Sequence, residues 1–528
     1  MNQPVPKPFV LADDVEHLRN RSNNFSRRPP RKERPTVRAS IRRQVSLTCS
    51  LTVVCVMSIG VAGRSLFGAD EPSSGRPPNV VLFLIDDLGY TDVGCYGSDF
   101  YETPHIDRLA RDGMKFTDAY AACCVCSPTR VSVLTGKNPA RLHITHAIPI
   151  QGYLRLKGPL PLIPAIYRKN LPLEEVTIAE ALQPAGYRSA SVGKWHVCWE
   201  EEFYPEHQGF DVNVAGNNMG NPGTYFHPYR GRWRMTTRHP WTEWQTIDGG
   251  QPGEYLTDRL TDEAIRFVEE NADRPFLLYF PHYAVHTPLQ AKEEVIEKYR
   301  RKPQGTHHKN PVYAAMIESV DQSVGRVLAR LDELDLANST VVIFTSDNGG
   351  NGRATSHYPL RGCKGNYYEG GIRVPLIVRW PGVVEPGSVC HTPVITHDFH
   401  PTLLEMAGLP LMPEQHVDGV SLMPLLKQTG DLKSRPLFWH FPNYIGATHI
   451  GPARPLSVVR EGDWKLIELL EDGRLELYNL RDDLGEKNNV AADMPEKTGE
   501  LHQKLREWRE ATKVQMPRPN PEYNEKSE

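Results

Sequence analysis

The chain of 528 residues carries 61 Lys+Arg against 64 Asp+Glu, a formal net charge of -3, with 41 Gly and 45 Pro. That length exceeds one average domain and suits a large α/β enzyme with a smaller appendage. The near-neutral balance, with no arginine or lysine stripe through the body of the chain, argues against nucleic-acid binding, and the abundant glycine and proline suit loops that build a site.

Residues 1 to 44 stand apart, with eleven Lys+Arg against four Asp+Glu, a net charge of +7, ending close to Arg42-Arg43. The uncharged run Val45 to Gly63 follows and reads as a signal-peptide core behind a long basic n-region, with small residues near Gly63 or Ala69 as cleavage points. Export to the periplasm or the cell exterior is the expectation. Left uncleaved, the run approaches the ~20 residues that cross a bilayer and would serve as a membrane anchor. Ser40 to Leu47 is loosely similar to a twin-arginine export signal. A Pro/Ser/Gly-rich linker, Glu71 to Pro78, completes a leader assigned to residues 1–76. Cys49 and Cys55 lie in it. Cys95, Cys123, Cys124, Cys126, Cys198, Cys363 and Cys390 remain, without the even spacing of a disulfide scaffold or a CxxC pair beside histidines. Asn338 opens the one Asn-x-Ser/Thr site of the body, which favours a bacterial exported protein.

The first strand is Val80 to Ile85, apolar throughout as a strand covered on both faces should be, and it stops at Asp86-Asp87. Carboxylates at the carboxyl end of a buried strand sit where open α/β sheets place ligands. A helix opens at Thr103-Pro104. Next comes Cys126-Ser127-Pro128-Thr129-Arg130, where Ser127 is a candidate N-cap and Pro128 suits a first turn, so Cys126 is expected at a helix N-terminus, a place that stabilises anions and nucleophiles. Thr177 to Leu182 reads as helix and Tyr187 to Val192 as a strand ending at Gly193-Lys194-Trp195-His196. Residues 201–252, rich in Gly, Pro, Asn and aromatics, read as a long irregular insertion that shapes substrate choice. Leu256 to Asn271 is an amphipathic helix, Pro275 to Phe280 a strand followed by His282 and His286, and Val312 to Leu334 a helix with one apolar face. The strand Thr340 to Thr345 ends at Asp347-Asn348. A glycine-punctuated loop presents Lys364 before the strand Val374 to Trp380, and Pro401 to Gly408 is a short helix. Alternating strand and helix argue a mainly parallel sheet in a domain of residues 77–433. Residues 434–515 change to short antiparallel strands closed by a helix from Met494 to Thr512, and 516–528 read as a polar, disordered tail.

Asp86, Asp87, Asp347 and Asn348 together make an all-oxygen set at strand ends. Hard oxygen ligands select Ca²⁺ or Mg²⁺ over zinc, and a flexible carboxylate cage leans toward Ca²⁺. Arg130, Lys194, His196, His286 and Lys364 then imply an anionic substrate with several oxygens, and phosphate and sulfate esters both fit.

Cys126-Ser-Pro-Thr-Arg130 with Leu134-Thr135-Gly136 resembles the Cys-x-Pro-x-Arg signature of the type I, formylglycine-dependent sulfatases of the alkaline phosphatase superfamily. Asp86-Asp87, Gly193-Lys194-Trp195-His196, His286-x-Pro288, Asp347-Asn348 and Arg-Gly-x-Lys364-Gly resemble the other motifs of that family, in its order, from about residue 77 to 515. The likeness is greatest to the arylsulfatase A and N-acetylgalactosamine-6-sulfatase type. It implies an alkaline-phosphatase-like fold: a large mixed, mainly parallel sheet sandwiched by helices, with a smaller C-terminal antiparallel sheet plus helix. It implies a sulfuric ester hydrolase in which a formylglycine-generating maturation enzyme oxidises Cys126. One hydroxyl of the aldehyde hydrate attacks sulfur to give a sulfo-enzyme intermediate, and deprotonation of the second expels sulfate. By the same resemblance Asp86, Asp87, Asp347, Asn348 and the modified Cys126 bind the cation. Arg130 supports the hydrate, Lys194, His286 and Lys364 hold the sulfate, His286 and Lys364 stand near the leaving oxygen, and His196 is the base of the second step. His282 competes with His286 for its role, and His146 and His227 are either substrate contacts or plain surface histidines. The aromatic-rich insertion suits a sulfated saccharide as substrate. A phosphate or phosphonate ester hydrolase of the same superfamily, and a non-catalytic sulfated-glycan binder with unconverted Cys126, stand as alternatives.

Overall fold

The structure, a computed structural model, describes residues 75–148, 160–230, 247, 249–448 and 451–523. The basic leader, the Val45 to Gly63 run and the tryptophans at 233, 241 and 244 lie outside the described residues. Among the described residues no helix is long and apolar enough to cross a membrane.

Strand β1 (Asn79–Ile85) is buried at every position. Its side chains alternate between two cores, and this alternation organises the molecule. Val81, Phe83 and Ile85 pack with helices α1 (Pro104–Arg111), α3 (Leu256–Glu270) and α4 (Pro311–Glu333), whereas Val80, Leu82 and Leu84 pack with α2 (Cys126–Thr135) and α5 (Phe399–Met406). Each fully buried aliphatic or aromatic side chain contributes about 1.5–3 kcal/mol relative to an exposed one, so a strand apolar on both faces ties both helical layers to one sheet.

That sheet has eight strands. In chain order they are β1, β2 (Met114–Phe116), β3 (Arg188–Val192), β4 (Val212–Val214), β5 (Phe276–Pro281), β6 (Thr340–Ser346), β7 (Leu376–Arg379) and β8 (Ser388–Cys390). In space the order is β8-β2-β7-β6-β1-β5-β3-β4. Pairing is parallel except along both edges of β7, which runs against β6 and β2. The mainly parallel sandwich expected from the alternation of elements is therefore present, with one reversed strand. Strand β4 falls inside the stretch read as irregular, because three residues among Gly, Asn and Pro carry too short a pattern to register.

The C-terminal sheet is antiparallel, in the order β9 (Leu437–Phe441), β10 (Leu456–Glu461), β11 (Trp464–Leu469) and β12 (Leu475–Asn479), with α6 (Pro495–Thr512) packed on one face through Leu501 and Leu505. Its other face joins Tyr120 and Ala122 to Val125 in one apolar cluster, so it lies directly behind the chain entering α2. Residues 516–523 are not a free tail here: Arg518 and Pro519 pair antiparallel with Ile163 and Leu162, and Asn520 bonds Leu160 and Pro161.

Candidate active site

Four adjacent strands deliver the site from their carboxyl ends. In sheet order, β6 brings Asp347 and Asn348, β1 brings Asp86 and Asp87, β5 leads to His286, and β3 leads to Lys194 and His196. Neighbouring strands lie about 4.8 Å apart, so side chains at consecutive strand ends converge without long loops. The first turn of α2 supplies Cys126, and the loop between β6 and β7 supplies Lys364. Cys126 is the first residue of its helix, as the sequence suggests, but the N-cap is Val125. The Ser127 hydroxyl instead accepts the N–H of Ile148, which frees no capping role for it.

Asp86 and Asp87 are fully buried, and the chain turns sharply between them and Leu88 because Asp87 adopts a left-handed conformation, φ 60°. Aspartate tolerates that region better than most residues. The turn is fixed by Asp87 N–H donating to Asp347 Oδ1 (3.2 Å), Leu88 N–H to Ser346 Oγ (3.1 Å), and the Tyr313 hydroxyl lying 3.0 Å from the Asp87 carbonyl and 2.7 Å from Asp92 Oδ2. Tyr313 sits on α4, where nothing in the sequence distinguishes it from an ordinary core aromatic.

Charges at the site are paired in depth. Lys194 Nζ lies 2.6 Å from Asp86 Oδ2, and Lys364 Nζ lies 2.7 and 2.8 Å from the two Asp87 oxygens. Asn348 Nδ2 donates to Asp87 Oδ1 at 2.8 Å. Burial pushes the Asp86 carboxyl up to about 8, with Asp347 and Asp87 adding to the rise and Lys194 opposing it. Burial acts on Asp87 in the same sense, but Lys364, then His286 and Lys194, outweigh it and hold that carboxyl well below the ordinary range.

Arg130 is the centre of this arrangement. With no exposed surface, it donates from Nε (3.0 Å) and Nη2 (2.7 Å) to Asp347 Oδ2 and from Nη1 to the Lys194 carbonyl (2.9 Å), and Nη2 stands 3.8 Å from Asp86 Oδ1. Its hydrogen bonds run to Asp347 and to the Lys194 carbonyl, and two nitrogens of the planar fork converge on one carboxylate oxygen.

His286 reaches the site and His282 does not. His286 Nε2 lies 3.6 Å from Asp87 Oδ2, and its Nδ1 lies 2.8 Å from the Thr287 carbonyl, which assigns the Nδ1–H tautomer. Burial first, and Lys364 second, lower its pKa to about 3. His282 is buried between Phe83 and Phe280 and faces Ser323 of α4, in the helix layer behind the sheet. Tyr225, also unanticipated, fixes the His286 loop by its hydroxyl, 2.5 Å from the Tyr283 carbonyl and 2.9 Å from that of His286.

His196 adopts φ 54° and is buried, with Nε2 bonded to the Ile148 carbonyl and Nδ1 without a partner. Burial, then Lys194 and Arg130, lower its pKa well below the ordinary value, which keeps the ring neutral with a bare Nδ1. A β-carbon on Gly220 would stand 2.7 Å from His196 Cε1, so only glycine leaves room for this ring. His146 is no surface residue: it is buried against Tyr167 and Phe441 with Nε2 on the Tyr444 carbonyl. His227 stacks edge-on to Tyr229.

Ligand atoms of Asp86, Asp87, Cys126 and His286 all lie within 4.8 Å of one another, the one such grouping among the described residues. The expected metal set has Asp347 and Asn348 in place of His286. Asp347 lies outside the grouping; Arg130 holds one of its oxygens and Asp87 N–H donates to the other, while Asn348 presents Oδ1 buried and unpartnered beside Asp87. Asp86 Oδ1 is likewise buried without a hydrogen bond. Two orphaned oxygens within a carboxylate cluster fit a hard divalent cation. Cys126 is 3% exposed and its Sγ is 3.7 Å from Lys364 Nζ. Burial pushes the thiol up to about 12 against the pull of Lys194 and Lys364, so an unmodified Cys126 is a protonated thiol.

A parallel sheet that gathers buried acids, fixed cations and a helix-terminal side chain at one end defines a hydrolase for anionic esters. Residues 78–409 match the sequence model of the Sulfatase family, and residues 363–512 match that of the N-sulphoglucosamine sulphohydrolase C-terminal region. The chain belongs to the sulfatase family and is a sulfuric ester hydrolase. It is 34% identical to a sulfatase of Formosa agariphila over 83% of this chain and 90% of that protein. It is 33% identical to N-acetylgalactosamine-6-sulfatase of Sus scrofa over 75% and 74% of the two chains. Among solved structures, Ps i-CgsB in complex with k-i-k-neocarrahexaose superimposes with a TM-score of 0.68 at 28% identity, covering 82% of this chain and 93% of that one.

Proposed function

We propose that this protein hydrolyses sulfate esters of a saccharide, using Cys126 after a maturation enzyme has converted it to formylglycine, with Ca²⁺ held by the strand-end oxygens. The observation that carries the reading is the convergence on one point of Cys126, Asp86, Asp87 and His286, with Lys364 Nζ 3.7 Å from the Cys126 sulfur. Nucleophile position, cation site and anion charge then coincide.

Asp86, Asp87, Asp347 and Asn348 would hold the cation, which would supply Lewis-acid polarisation of a sulfate oxygen. The residues of the chain do the rest. The N-terminus of α2 places residue 126 where free N–H groups and the helix dipole favour developing negative charge. Formylglycine at this position offers two hydroxyls on one carbon, so attack on sulfur and later release of sulfate need no second nucleophile. Lys194 and Lys364 bring cationic side chains to the sulfate, and Lys364 is the more exposed of the two. His286 exposes the Nε2 lone pair toward the site because Nδ1–H is engaged by Thr287, so proton movement at the leaving oxygen runs through Nε2. His196 holds a bare Nδ1, the atom at which the proton of the second step is taken.

The saccharide class is supported by the oligosaccharide complex of the related Ps i-CgsB and by the sugar in the name of the Sus scrofa relative. The basic leader and the Val45 to Gly63 run extend the proposal to export into the periplasm or beyond. Peptide mass spectrometry of active protein should find residue 126 lighter than cysteine when it is present as the aldehyde; the hydrate has almost the mass of cysteine and is recognised by its loss of water. Cys126→Ala should stop sulfate release from an aryl sulfate while the protein remains folded. Turnover retained by that variant, or a phosphate diester cleaved faster than every sulfate ester in a panel of sulfated saccharides, would overturn the proposal. Sequencing the mature N-terminus from fractionated cells tests the export.

A further inference from the structure

The loop that carries Lys364 is held from two sides. Toward the site, Lys364 N–H donates to the Gly350 carbonyl (3.0 Å) and Gly365 N–H to the carbonyl of Cys124 (2.9 Å). The loop is also curled on itself: a β-carbon on Gly371 would stand 1.9 Å from the Asn366 carbonyl oxygen, so the curl exists only with glycine there. Away from the site, Arg361 and Glu369 anchor the loop to the C-terminal sheet and to the turn after it. Arg361 Nη1 donates to the Tyr478 hydroxyl (3.0 Å) and the Glu486 carbonyl (2.8 Å). Glu369 N–H donates to Glu486 Oε2 at 2.6 Å.

Between these anchors lies Lys465 of β11, with no exposed surface. Its Nζ donates to Glu369 Oε1 at 2.8 Å and forms an ion pair with Glu486 Oε1, also at 2.8 Å. Glu369 and Glu486 are themselves fully buried, and Tyr120 and Arg373 complete the ring around Glu369 Oε2 at 2.6 and 3.4 Å. A lysine without solvent between two buried carboxylates is a costly element to retain for stability alone, since an apolar replacement of the whole set is often neutral or better. Here it joins the turn after β12 to the distal end of the Lys364 loop.

The geometry points to Lys465 as a positioning residue for Lys364, so that the C-terminal sheet is a working part of the active site. This inference rests on the reading of Lys364 as the cation at the sulfate. Displacing a supporting group of this kind costs about 10- to 100-fold in activity.

The test is a double-mutant cycle on matured protein with an aryl sulfate. Lys364→Ala should lose most turnover, and Lys465→Met should lower kcat about tenfold with KM changed less than about twofold. Lys465→Met added to Lys364→Ala should cost nothing further, because it acts through a side chain no longer there. Lys504→Met, which removes a surface ion pair of the same subdomain, should leave kcat unchanged. If Lys465→Met fails to fold, Arg361→Met takes its place in the cycle, since Arg361 reaches the same turn from a half-buried position. Additive losses, or a Lys465→Met enzyme with wild-type kcat beside an impaired Lys364→Ala enzyme, would overturn the inference. Wild-type turnover by Lys364→Ala would instead overturn the reading of the site.

Discussion

Replacing Arg130 tests how far the site depends on one guanidinium. Arg130→Met removes two bonds to Asp347 Oδ2 and one to the Lys194 carbonyl, and it strands Asp347 and Asp86 in the interior with less counter-charge. Removing one partner of a buried ion pair costs about 3–5 kcal/mol. A folded body of roughly 450 residues unfolds with an entropy of about 0.9 kcal/mol per kelvin, so a loss of about 4 kcal/mol lowers Tm by about 4 °C. Arg130→Lys keeps the charge, yet an ammonium on a shorter reach replaces only one of the three hydrogen bonds. The loss of two charge-assisted bonds is worth about 3 kcal/mol, or about 3 °C. Both should also lower kcat/KM by about 10- to 100-fold, because Asp347 loses the fork that aims it. Scanning calorimetry at one fixed rate and aryl sulfate turnover check this. If both variants melt within about 1 °C of the wild type, Arg130 is not the electrostatic keystone described here.

Three further outcomes follow from other parts of the structure. His282, held neutral by burial at a pKa of about 3, binds a proton in the unfolded chain but not in the folded one between about pH 6.5 and 3, so it lowers stability as pH falls through that window. His282→Phe should remove up to about 1.4 kcal/mol per pH unit of that acid-side loss, read from denaturant melts at pH 7, 6 and 5, and an unchanged slope would refute it. Gly220→Ala should push the His196 ring and slow the second step, lowering kcat and KM together while kcat/KM holds; a fall in kcat/KM alone would place His196 elsewhere in the reaction. Chelation should abolish turnover, and Ca²⁺ at a hundred times its Kd should then raise stability by about 2.7 kcal/mol, an effect that Asp86→Asn weakens; equal melting with and without Ca²⁺ and Mg²⁺ would remove the cation from the reading.

Much of this was legible in the chain because of how parallel sheets are built. A strand buried on both faces, such as Asn79 to Ile85, must be apolar throughout, and its polar successors Asp86 and Asp87 mark where it surfaces into a cleft. The same signal located Asp347, at the end of the buried strand Thr340 to Ser346. Direction was less legible: Leu376 to Arg379 has the composition of its neighbours although it runs the other way, since strand polarity is set by connection rather than by residue type. Histidines were the least legible. His282 and His286 lie four residues apart beyond one strand, and backbone turns alone send the first behind the sheet and the second to Asp87. The Arg130–Asp347 and Lys465–Glu369 bonds join residues 217 and 96 positions apart, for which periodicity and spacing carry no information.

The sheet order also sets a timetable. Strand β1 lies between β5 and β6, and Asp87 is bonded to a residue 260 positions later. Pairings this distant form slowly, since the intervening loop must close first. During synthesis Cys126 precedes Asn348 by about 220 residues, or about 10–45 s at 5–20 residues per second. For that interval the segment that will become buried is still open chain, and Cys126 is accessible to chemistry that the finished fold, with Cys126 3% exposed, no longer admits.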